Sequence, residues 1–94
     1  MKLNNFELKE TDAPNGVQVL LDFGKYELSI VRSDYTYGGK QGKFEIGVFE
    51  GNTMVELPGI TKQGDTVKGW LTETEVDAII LKMIAVTGKD PVQI

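Results

Sequence analysis

The chain has 94 residues, room for one domain with one modest core, and its composition of 40% hydrophobic and 26% charged residues is that of an ordinary globular protein. It contains neither cysteine nor histidine, which excludes disulfides, thiolate nucleophiles, the common zinc sites and the Ser-His and Cys-His pairs, so any catalysis would fall to carboxylates, lysines and tyrosines. A net charge of -4 argues against a general nucleic-acid binder, and the lack of a bilayer-length apolar run or a basic apolar leader leads us to expect a soluble protein of the cytoplasm.

Residues 3–10 contain Phe6-Glu7-Leu8, a short alternation that predicts an edge strand, ended by the turn-forming stretch Asp12-Ala13-Pro14-Asn15-Gly16. Val17, Val19, Leu21 and Phe23 then alternate with polar residues, as do Tyr26, Leu28 and Ile30. This predicts strands over 17–23 and 26–32, joined by a two-residue hairpin in which Gly24 supplies the positive φ of a type II′ turn. That loop length sets Phe23 opposite Tyr26, Leu21 opposite Leu28 and Val19 opposite Ile30, with all six on one apolar face.

The construction repeats around Gly51-Asn52, where strands over 43–50 and 53–57 place Val48 opposite Val55 and Ile46 opposite Leu57. Pro58 removes a ladder donor, and 58–69 reads as a connector with turn residues at Gly59, Gly64-Asp65 and Gly69. From Thr72 the period changes. Thr72-Glu73-Thr74-Glu75 is a capping box, Leu71 and Val76 form a hydrophobic staple, and Val76, Ile79, Ile80, Met83 and Ile84 make one apolar stripe that ends before Gly88 and Pro91. A helix over 73–87 follows, with Trp70 expected to plug the space between its start and the sheet. The predicted fold is therefore α+β: a single domain over 1–94 with an antiparallel sheet of four or five strands, a meander of hairpins, packed on one face by a single C-terminal helix.

Two surfaces stand out as candidates for function. The connection over 33–42 exceeds the roughly two to five residues usual in hairpins and reads either as a mobile arm or as a bulged turn with a tyrosine tucked over the core. In the first reading Tyr35 and Tyr37 offer flat contact area, Gly38 and Gly39 give adaptability, and Arg32, Lys40 and Lys43 suit an acidic partner. A phosphate-cradling P-loop needs a Ser or Thr after its lysine and a helix to follow, whereas here Phe44 and a predicted strand follow Lys43. The second surface is the sheet face away from the helix, where the registers place Leu20, Val31, Phe49 and Met54. One helix cannot cover both faces, so a contiguous apolar patch there points to a partner protein or a second copy of the chain. Glu73 and Asp77 share a helical face but are accounted for by capping and the helix dipole, and no metal site or cofactor is expected.

The order Tyr37-Gly38-Gly39, Gly42, Phe44-Glu45, Val48, Pro58, Ile60-Thr61, Val67, Gly69-Trp70-Leu71-Thr72-Glu73 and Glu75-Val76 resembles small accessory proteins of tailed bacteriophages and prophages. The resemblance spans about residues 22–86, and the chain differs from it by extra residues around Gly59 and 62–66. It implies no catalytic residues. It implies instead a non-virion protein of the host cytoplasm that binds and modulates a host or defence component. The expectation is accordingly a binding protein, not an enzyme, with a host or phage protein as partner. A small-ligand or nucleotide sequesterer using Arg32, Lys40 and Lys43 is the alternative, and a minor virion or assembly component a further one.

Overall fold

The computed structural model describes residues 1–94. Its centre is a three-strand antiparallel meander, β2 (Val17–Asp22), β3 (Glu27–Arg32) and β4 (Phe44–Glu50). The first hairpin has the register that its sequence requires: Leu21 faces Leu28, Val19 faces Ile30, and the Phe23 N–H donates to the Tyr26 carbonyl at 2.8 Å. Gly24, at φ 88°, is the left-handed residue that lets a two-residue turn follow the twist of the strands. The second hairpin joins β4 to β5 (Thr53–Val55), with Val48 opposite Val55 and Phe49 opposite Met54.

Both borders of the meander are strands built in two pieces. Beside β2 lie β1 (Lys9–Glu10) and the C-terminal β7 (Val92–Gln93), and beside β4 lie β5 and β6 (Val67–Leu71). The chain leaves the β4 border after Val55, loops outward, and returns to the same line twelve residues on, at Val67. Leu57 and Ile60 on that excursion drop into the core, the Leu57 N–H donates to Thr61 Oγ1 at 3.0 Å, and Lys82 Nζ on the helix reaches the Gly59 carbonyl at 3.2 Å. The excursion thus closes the side of the core between sheet and helix.

The helix α1 (Glu73–Thr87) begins at the expected box. The Glu75 N–H donates to Thr72 Oγ1 at 3.2 Å, and the Thr72 N–H donates to Glu75 Oε1 at 3.1 Å. These contacts, from the Thr72 backbone first and its hydroxyl second, with Lys68 and Lys43 adding charge attraction, hold the Glu75 carboxyl below the ordinary glutamate range. Gly88 ends the helix in a left-handed conformation, its N–H donating to the Ile84 carbonyl at 2.8 Å. Val76, Ile79, Ile80 and Met83 pack onto Val19, Leu21, Leu28, Ile30, Ile46 and Val48 in one core of 16 buried residues.

Four expectations are corrected. Residues 3–10 are not one strand: Leu3–Asn5 is a single 3₁₀ turn, because the Leu3 N–H is drawn to Asp77 Oδ1 on the helix at 2.7 Å, and only Lys9–Glu10 joins the sheet. The predicted strand over 53–57 stops at Val55, so Leu57 does not face Ile46; Lys68 does. Residues 67–69, read as connector, belong to β6, whose alternation Gly69 and the bulge obscure. Trp70 does not plug the core. The β4–β6 register shifts between Phe44 and Ile46, leaving Gly69 and Trp70 together opposite Glu45, and the indole is 53% exposed.

Candidate partner-binding side

The connection over 33–42 is a folded unit rather than a free arm. The Ser33 carbonyl accepts from the Thr36 N–H at 3.2 Å and from the Thr36 hydroxyl at 3.1 Å, while Thr36 Oγ1 accepts from the Ser33 N–H at 3.0 Å. A one-turn 3₁₀ helix, Gly39–Gln41, follows, and the Lys43 N–H closes back on the Gly38 carbonyl at 3.0 Å. Gly39 is required there, since a Cβ would sit 1.7 Å from the Ser33 carbonyl oxygen. Asn15 Nδ2 and the Pro14 carbonyl hold Asp34 from the neighbouring turn, at 3.3 Å and 3.0 Å.

This framework presents its tyrosines outward instead of tucking either over the core. Tyr35 is 80% and Tyr37 64% exposed. Tyr37 is fixed by its backbone: its N–H donates to Glu45 Oε2 at 3.2 Å and its carbonyl accepts from the Trp70 N–H at 3.1 Å. Gly38 and Gly69 allow the approach, for a Cβ at Gly38 would lie 3.0 Å from Trp70 Cε3 and one at Gly69 2.5 Å from Tyr37 Cβ. Tyr37 and Trp70 therefore form one exposed aromatic pair, although 33 residues separate them in the chain.

Two clefts meet at that pair. One, of about 380 Å³, is lined by Tyr37, Trp70, Lys62, Asp65 and the run Val67, Lys68, Gly69. The other, also about 380 Å³, includes Asp34, Gly38, Gly39, Lys40 and Gln41. Neither takes in Arg32 or Lys43. Arg32 lies over the Phe44 ring with its guanidinium carbon 4.7 Å from the centroid. The three cations suggested as an anion site thus do not converge on one cleft.

The sheet face away from α1 is where the registers place it. Leu20, Val31 and Phe49 are half-buried, and Met54 is 39% exposed. Small residues occupy its middle: Ser29, which accepts from Gln18 Nε2 at 3.2 Å, and Gly47, over which the Met54 methyl lies. A depression of about 330 Å³ includes Leu20, Glu27, Ser29 and Phe49. Two residues that the sequence reading passed over extend the apolar rim, Val92 and Ile94, 69% and 51% exposed, since β7 pairs with β2 and the Ile94 N–H donates to the Leu20 carbonyl.

These two surfaces join. Glu45 lies on the same face as Val31 and Phe49, and its carboxylate receives the Tyr37 N–H, so the loop stands at one end of the outer sheet face. The solvent side of the helix also exposes two separate apolar side chains, Leu81 at 56% and Val86 at 53%, roughly 140° apart around its axis. As site residues Lys62 and Lys68 escaped the sequence reading, which places Trp70 in the core instead. The signal that would have found Trp70 is Gly69 beside an aromatic residue in a run of strand-like alternation, the mark of a bulge. No cluster of three or more acidic side chains capable of holding a metal is present, and no helix is long and apolar enough to cross a membrane. No protein-family model, curated protein or solved structure matches the chain.

Proposed function

We propose that this chain is a small protein-binding module whose partner docks on the side opposite α1, with Tyr35, Tyr37 and Trp70 as anchors and Leu20, Val31, Phe49 and Met54 as the apolar floor. The continuity of the two surfaces through the Tyr37–Glu45 contact carries this reading. Rigid aromatic side chains bring large contact area at small entropic cost, and they dominate the energetics of protein interfaces. Arg32, Lys40 and Lys43 do not line a common cleft, which disfavours a nucleotide sequesterer. The resemblance to accessory proteins of tailed phages makes a bacterial host protein the partner of choice and modulation of that partner the activity.

Affinity capture from a bacterial lysate, followed by reconstitution with the purified partner, tests this. Tyr37→Ala and Trp70→Ala should each weaken the complex by about thirtyfold, the equivalent of the ~2 kcal/mol typical of an anchor residue. Leu81→Ser on the helix should leave it unchanged. Equal affinity of all three variants, or loss in Leu81→Ser alone, would place the interface elsewhere. Light scattering of the isolated chain separates a foreign partner from a second copy, because the latter doubles the measured mass and Phe49→Ser would restore the monomer.

A further inference from the structure

Resting on that reading, we infer that the cleft beside β6 takes an extended, acidic segment of the partner, laid along the free edge of the strand. The lining identifies the cleft as an edge. Val67 and Lys68 are consecutive in a strand and point to opposite faces, so both border one hollow only where it runs beside the backbone. The depression on the outer face is instead bordered by alternating residues, Gln18 with Leu20 and Glu27 with Ser29, as a face requires.

The two borders of the sheet differ in how they are finished. On the β1–β7 border the Gln93 side chain occupies the backbone of Glu7, accepting from its N–H at 2.9 Å and donating to its carbonyl at 2.7 Å, and Lys9 Nζ reaches the Ile94 carbonyl at 3.0 Å. On the β6 border, the one backbone group with a partner outside the β4 ladder is the Trp70 N–H, held by Tyr37. Tyr37 thereby closes the bulged end and leaves the Val67–Lys68 end open. An unpaired edge of this kind is the template for strand addition, in which main-chain hydrogen bonds supply affinity and flanking pockets supply selectivity.

Charge specifies the segment. The protein is acidic overall, yet the cleft holds Lys62 and Lys68 against Asp65 alone, and neither ammonium group makes a hydrogen bond or an ion pair; the one ion pair in the protein is Lys25 with Glu50, at 3.8 Å. Lys68 feels the Glu75 carboxylate at a distance, but that group is committed to Thr72. Carboxylates spaced along an extended segment match the two free ammonium groups, and an apolar residue between them meets Val67 and the Tyr37–Trp70 pair.

Trp70 is the sole tryptophan and so reports on its own cleft. Short peptides alternating valine with glutamate, titrated while its emission is followed, should bind and shift the emission to the blue; matched peptides with glutamine or lysine should bind at least about tenfold more weakly. The double variant Lys62→Glu, Lys68→Glu should lose a similar factor, and high salt should weaken the wild type. N-methylation of alternate backbone amides should abolish binding in one register and spare it in the other. No emission response, an equal response to glutamine peptides, or indifference to N-methylation in both registers would overturn the inference. If partner capture still depended on Tyr37 and Trp70 in those cases, the broader binding reading would stand without it.

Discussion

Trp70 is the residue where conformation and exposure conflict most. Its φ of 59° is left-handed, a region that costs a bulky side chain about 1–2 kcal/mol, and its indole is more than half in solvent, so core packing does not account for it. The bulge places it, and the bulge is where strands re-aim a side chain. Replacing Trp70 with Ala and with Gly removes the same indole contacts, while only Gly is free at that φ. We expect Trp70→Gly to be more stable than Trp70→Ala by about 1 kcal/mol in urea unfolding, the reverse of the usual order at a strand position, with both weakening the complex to a similar degree. The usual order would mean that the backbone there is not left-handed in solution.

At the scale of elements, the helix start carries a pH signature. The Glu75 carboxyl titrates below its unfolded value because its ionised form accepts from the Thr72 N–H and hydroxyl. A depressed carboxylate contributes stability that is present in full above the unfolded pKa and is lost as the pH falls through the folded one. Unfolding free energy should therefore decline on acidification through and below the ordinary glutamate range. Glu75→Gln, which keeps an acceptor but no charge, should flatten that decline, and a profile identical to wild type would show the box to be energetically idle. Thr72→Ala should cost about 1 kcal/mol at neutral pH.

Local rules made this helix, both hairpins, the first hairpin's register and the turn end of the second's legible in the sequence, since capping, turn chemistry and alternation are all readable over a few residues. The missed elements depend on distant partners. The Leu3–Asn5 turn owes its place to Asp77, β6 follows from the register of β4, and β7 from a free stretch of β2. The candidate site divides the same way: Tyr35, Tyr37 and the outer-face residues follow from loop length and periodicity, whereas the pairing of Tyr37 with Trp70 needs the chain to return along β4 after its excursion.

At the scale of the molecule, the protein has one covered sheet face and one bare one, and the bare one ends in an aromatic loop. The chain has placed its small residues, Ser29 and Gly47, at the middle of that face and its larger apolar ones around them, with a depression beside Ser29 and an aromatic end. The solvent side of α1, where Leu81 is exposed, is the competing surface, and the two lie on opposite sides of the core. Site-specific photo-cross-linking in bacterial cells, with the reactive group placed in turn at Tyr37, Phe49 and Leu81, separates them directly. The account predicts adducts with the same protein from the first two positions and none from the third; adducts from Leu81 alone would contradict it.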